Sequence, residues 1–170
     1  MRPRITRHLA LFFLVVLVVT VIPVSIFQSS LSADETTGLV LVTDLNGVVG
    51  ISMENYVIKV LETARDQNAA LIVFELDTPG GLVSSMRAIT NAIMDSPVPV
   101  LVWVSPRGSR AASAGAFIVQ SASIAAMSPG TNIGAAHPVQ ASGGDVPDEE
   151  MNKKITNDLA AQMRSLAQMH

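Results

Sequence analysis

Two short runs of small residues hold the groups in this sequence best suited to chemistry. The first is Ala111-Ala112-Ser113-Ala114-Gly115. A hydroxyl near a helix N-terminus, among neighbours too small to block an approaching backbone, lies beside N–H groups that lack intrahelical partners and favour negative charge. That setting suits a nucleophile. A serine among alanines at a helix start also serves as a cap or a packing residue, and the run alone leaves these readings open. The second run is Asp77-Thr78-Pro79-Gly80-Gly81. Adjacent glycines let main-chain N–H groups turn toward a carbonyl with no Cβ in the way. An oxyanion hole needs that freedom, each donor being worth about 3 to 4 kcal/mol in the transition state. A tight turn without a ligand is the competing reading, with Asp77 stabilising it. A third segment carries His137 ahead of Pro138, an imidazole poised to accept a proton near neutral pH.

All three segments follow apolar strands. Gly38-Leu-Val-Leu-Val-Thr-Asp opens the first, and Ser52 is positioned to cap an amphipathic helix over Met53 to Gln67. Ala70 to Leu76 reads as a buried strand; after the Pro-Gly-Gly turn, Met86, Ile89 and Ile93 mark a helix ending before Pro97. Val98 to Val104 is the next strand, Ala111 to Gln120 a helix of small residues, and Ile124 to Met127 a short strand. Gln140 to Asp148 reads as a mobile loop. From Glu149 a helix carries Met151, Ile155, Leu159, Met163 and Leu166 on one stripe and runs to His170 with no stop signal, so the chain is expected to break off inside its last helix. This alternation predicts an α/β fold of mainly parallel βαβ units, helices over the faces of the sheet and ligand groups at the carboxyl ends of the strands. Trp103 and Phe117 are expected in the core.

Composition narrows the chemistry. Of 170 residues none is cysteine, which excludes disulfides, thiolate nucleophiles and Cys-ligated zinc. His8 and His170 lie near the termini, so no metal site is expected, and no nucleotide fingerprint or other cofactor signal is present. Arg2, Arg4 and Arg7 precede an apolar run from Leu9, and small residues surround Ser32 and Ala33. Residues 1–33 therefore read as a signal peptide or signal anchor, with the cleaved form preferred, and the domain from 38 to 170 is placed on the extracytoplasmic side of the cell membrane or secreted. Beyond residue 33 the chain carries 8 basic against 14 acidic side chains, which argues against nucleic acid as a partner.

The order Asp-Thr-Pro-Gly-Gly, Ser-Pro-Arg-Gly-Ser-Arg-Ala-Ala-Ser-Ala-Gly, Ser-Pro-Gly-Thr-Asn-Ile-Gly-Ala-Ala-His-Pro and Lys-Ile-Thr-Asn resembles the NfeD family of membrane-bound, ClpP-class serine proteases from Gly38 to His170. The resemblance implies a ClpP/crotonase-like fold and Ser113 as nucleophile. It further implies Lys154 as general base, and oxyanion donors from the Gly80-Gly81 turn and the Ala114 N–H. It also implies a peptide or protein substrate, in particular hydrophobic segments of stomatin-like membrane proteins, and a homodimer. A lysine at its reference pKa of about 10.4 is less than ~0.1% neutral at pH 7, so a base at Lys154 requires desolvation. Lys153 and Lys154 both fall well over ~90° from the apolar stripe, and the helical wheel does not choose between them. His137, 24 residues after Ser113, stands near the spacing of the histidine in ClpP itself and is the alternative base. Three other functions compete: a signal-peptide peptidase-like hydrolase, a non-catalytic scaffold for a stomatin-like partner, and a crotonase-type acyl-CoA enzyme.

Overall fold

The computed structural model describes residues 38–136 and 149–169, all within the unit Gly38–His170. The N-terminal leader, His137 and the Gln140 to Asp148 loop lie outside the described residues. Along the chain the elements are β1 (Val40–Asn46), α1 (Ile51–Asp66), β2 (Leu71–Asp77), α2 (Val83–Met94), β3 (Val100–Val104), β4 (Arg110–Ala112), α3 (Ala114–Ser121), β5 (Ile124–Met127), β6 (Asn132–Gly134) and α4 (Glu149–Ala167).

β1, β2, β3 and β5 pair in that order as a parallel sheet, while β4 and β6 form a separate parallel pair. Alternation along each strand decides what is buried. Ile72, Phe74 and Leu76 of β2 and Val100, Val102 and Val104 of β3 are fully enclosed on one face of the sheet. Val57 and Leu61 of α1, Met86, Ile89 and Ile93 of α2 and Phe117 and Ile118 of α3 complete the same cluster. Each such side chain contributes roughly 1.5–3 kcal/mol by leaving water.

The other face departs from the expectation that helices cover both. Val73, Leu101 and Trp103 are half-buried there, and Val40, Val42 and Ile124 are exposed. Trp103 is therefore not a core residue, whereas Phe117 is. Strands that are apolar on both faces look alike in sequence whichever face a helix covers.

Two element ends also differ from the sequence reading. Gly50, extended and without a side-chain cap hydrogen bond, occupies the N-cap of α1, so Ser52 lies inside the first turn. Ala111 and Ala112 are strand, because their backbone pairs with β6, and α3 starts only at Ala114. α4 spans Glu149–Ala167, and the Gln168 N–H still donates to the Arg164 carbonyl at 3.2 Å. Among the described residues no helix is long and apolar enough to cross a membrane.

Candidate active site

The chain leaves β2 at Asp77 and turns through Thr78, Pro79, Gly80 and Gly81 into α2. β4 is laced to this turn. The Asp77 carboxylate accepts the Arg110 N–H at 3.0 Å, the Thr78 N–H donates to the Arg110 carbonyl at 2.8 Å, and the Ala112 N–H donates to the Thr78 carbonyl at 3.1 Å. On its opposite edge β4 runs beside β6, with Ala112 in register with Gly134. Held on both sides, β4 delivers the next residue to a fixed place.

That residue is Ser113, at φ 51° and ψ −114° between β4 and α3. The conformation is unfavourable for any residue with a Cβ and persists only where its surroundings impose it. Here the surroundings are the two flanking pairings and the bond from the Ser113 N–H to the Gly134 carbonyl, 2.8 Å. A sharp strand–serine–helix turn projects the hydroxyl clear of the backbone. The Ser113 side chain makes no capping hydrogen bond to α3, so capping is not its role.

Gly80 lies directly against it. A Cβ built on Gly80 would stand 2.6 Å from the Ser113 Cβ and 3.1 Å from its Oγ, and the backbone at Gly80 has φ 103°. The Gly80 N–H donates to Thr78 Oγ1 at 3.0 Å. Gly81 forms a parallel bridge with Val49, where the Val49 N–H donates to the Gly80 carbonyl and the Leu82 N–H to the Val49 carbonyl, both at 2.8 Å. In such a bridge the flanking groups of Gly81 are used, and its own N–H and C=O face the other way. A Cβ on Gly81 would come within 2.0 Å of the Val49 carbonyl oxygen. Among the described residues, the N–H groups of Gly81 and of Ala114, the first residue of α3, have no hydrogen-bond partner.

Gly81, Ser113 and Ala114 line one cavity, walled by Val83, Met86, Phe117 and Leu159 and bordered by Ala136. Among the described residues no ionisable side chain lines it, and the positive end of α3 points at Ser113. Among the described residues no group of His, Asp or Glu is arranged to hold a metal ion. The structure thus brings Gly80, Gly81, Ser113 and Ala114 together. Lys154 is elsewhere: its side chain is 67% exposed and its Nζ lies 3.0 Å from Glu150 Oε1, while Lys153 pairs with Glu149 at 2.7 Å. Leu159, which faces the cavity from the same helix, is five residues on, about 140° around the axis from Lys154. His137 lies outside the described residues, but Ala136 immediately before it borders the cavity. Thr78, Gly134 and the four apolar wall residues went unnoticed as site residues in the sequence. Leu159 was on the predicted apolar stripe, while Thr78 offered only its place two residues before Gly80.

Known proteins resemble this chain in sequence and fold. The chain is 37% identical over 130 residues to the membrane-bound protease PH1510 of Pyrococcus horikoshii, covering 76% of this chain and 30% of that protein. It spans less than a third of the length of the curated relatives it matches. Two solved structures of the 1510-N membrane-bound stomatin-specific protease superpose on it. One is a serine-to-alanine mutant (TM-score 0.70, 36% identity, 77% of this chain and 63% of that chain). The other is a lysine-to-alanine mutant in complex with a substrate peptide (TM-score 0.71, 35% identity, 78% and 61%). The serine and lysine replaced in those mutants are 41 positions apart. ClpP1 from Listeria monocytogenes shares the fold at 19% identity, with a TM-score of 0.60 over 74% of this chain and 71% of that one. The family model described as NfeD1b, N-terminal domain, matches residues 39–170, and the chain belongs to that family.

Proposed function

We propose that this chain carries the catalytic site of a membrane-associated serine endopeptidase that cleaves apolar segments of stomatin-like proteins. The observation that carries this reading is the hydroxyl of Ser113, held by a strained backbone beside two unpartnered N–H groups, those of Gly81 and Ala114. The Ser113 Oγ attacks the scissile carbonyl carbon while its proton passes to a base, and the two N–H groups hold the oxyanion. The C–N bond then breaks, the amine leaves with the proton from the base, and water releases the acyl group as a carboxylic acid. The outward C=O of Gly81 offers a main-chain acceptor to an extended peptide, and the apolar cavity receives its side chain.

Lys154 is the base in this reading. Its support is the separation of 41 positions between Ser113 and Lys154, equal to that between the serine and lysine replaced in the 1510-N mutants. To act, Lys154 must exchange its pairing with Glu150 for contact with Ser113, which requires the start of α4 to shift or a second copy to approach. His137 remains a second reading of the base, favoured by the position of Ala136 at the cavity. Membrane association and stomatin-like substrates rest on what is printed for the relatives.

Labelling of the folded full chain with a fluorophosphonate, located by mass spectrometry, tests the reading. The adduct is expected on Ser113; an unlabelled chain favours the scaffold function. Gly80→Ala is expected to slow this labelling by about 100-fold or more, since the new Cβ would push against the nucleophile and displacements near 1 Å cost that much. Equal labelling rates for parent and variant would remove Gly80 from the site.

A further inference from the structure

Thr78 is fully buried, yet its three kinds of group reach three different parts of the site. Its main chain pairs with β4 on both sides of Ala111, fixing the strand that ends at Ser113. Its methyl Cγ2 fills the space beside Gly115, where a Cβ would come within 2.5 Å of it, so the first turn of α3 rests on Thr78. Its hydroxyl accepts the Gly80 N–H at 3.0 Å and lies 3.5 Å from the Gly80 carbonyl oxygen.

This last contact is a serine/threonine turn, in which a hydroxyl takes the place of a backbone acceptor two residues before the donor. The turn needs it. Gly80 and Gly81 have the widest conformational freedom of any residue pair; the Val49 N–H holds the carbonyl of the peptide after Gly80, and Thr78 Oγ1 holds the N–H of the peptide before it. The Gly80 N–H is buried, so without Thr78 Oγ1 it has no acceptor and the turn gains by rotating to find one. That N–H belongs to the Pro79–Gly80 peptide, and rotating this peptide changes the backbone angles at Gly80, through which the Gly81 N–H is attached.

We propose that Thr78 is a positioning residue: by accepting the Gly80 N–H, its hydroxyl aims the Gly81 N–H at the oxygen that becomes negative when Ser113 attacks. The inference rests on the proteolytic reading and adds to it a residue that never touches substrate. Thr78 also explains the division of labour within the glycine pair. One N–H is spent on the turn, and the other is left for the ligand.

The test compares Thr78→Ser, which keeps the hydroxyl and loses the methyl, with Thr78→Val, which keeps the shape and loses the hydroxyl. Saturable inactivation of the full chain by a fluorophosphonate separates the maximal rate of inactivation from the half-saturating concentration, and thermal melting reports folding. Thr78→Ser is expected to react within about threefold of the parent rate. Thr78→Val is expected to react about 10- to 100-fold more slowly at saturation, less than loss of a whole donor, with half-saturation unchanged within about twofold. A residue that only packs would give the reverse order, valine tolerated and serine slow, and that result overturns the assignment. So does a Thr78→Val chain that reacts at the parent rate. Should Thr78→Val not fold, Thr78→Ala against Thr78→Ser isolates the same hydroxyl, and equal rates for those two overturn it. A parent chain that is itself unlabelled at Ser113 fails at the proteolytic reading, a different outcome from any difference among Thr78 variants, and the assignment falls with it.

Discussion

Ser113→Ala is expected to lower hydrolysis of an apolar fluorogenic peptide by about 10⁴-fold or more, while the melting temperature moves by no more than about 3 °C. The activity falls because, among the described residues, no other hydroxyl lines the cavity, leaving only the assistance that binding and oxyanion donors give to water. The stability holds for a separate reason. The Ser113 side chain caps nothing, and alanine keeps the Cβ that Gly80 rests against. The backbone strain at φ 51° is the same for both residues, so it neither rises nor is relieved. Peptide turnover above about a tenth of the parent value in the alanine variant would show that the bond is cut by something else.

Lys154→Ala is expected to cost about 10³-fold in the same assay, the middle of the range for a general base, whereas His137→Ala is expected to stay within about threefold of the parent. Lys154→Arg should not rescue, because a guanidinium cannot give up its proton in this range and so cannot receive one from Ser113. Loss of the solvent-exposed pair with Glu150 contributes little to folding, exposed i,i+4 pairs being worth about 0.3–0.5 kcal/mol. A large effect of Lys154→Ala on turnover without one on melting would thus assign the lysine to chemistry. The opposite pattern, His137→Ala inactive and Lys154→Ala active, transfers the role to the imidazole. Arg87 and Asp158 offer a control, since their ion pair ties α2 to α4 one turn beyond Lys154 without touching the cavity.

The parallel βαβ architecture was legible because its signal is periodic. Val98 to Val104 and Ile124 to Met127 are runs of apolar residues bounded by turns, and the structure places β3 and β5 there. Composition singled out the glycine turn and Ser113 as candidates but left a cap, a packing residue and a plain turn open, and the roles came from the family resemblance. What could not be read is the pairing of segments three residues long. β4 and β6 are too short to show any alternation, and Ala111 and Ala112 favour helix in isolation; only their hydrogen bonds to Thr78 and β6 make them strand. Thr78 was hidden for a related reason, as its role depends on what lies two residues ahead and 33 residues ahead. Lys154 marks the limit of the sequence argument, which asked for a desolvated lysine where the described structure has a solvated one.

The hydroxyl of Ser113 is aimed entirely by partners that are distant along the chain: Val49 with Gly81, Thr78 with Ala111, and Ala112 with Gly134. Pairings that close such long loops form late and open early, because each must repay its own loop entropy before it rewards the chain. A nascent polypeptide therefore does not hold Ser113 in this geometry until residue 134 has docked. Local opening at any one of these three seams releases the turn that presents its hydroxyl.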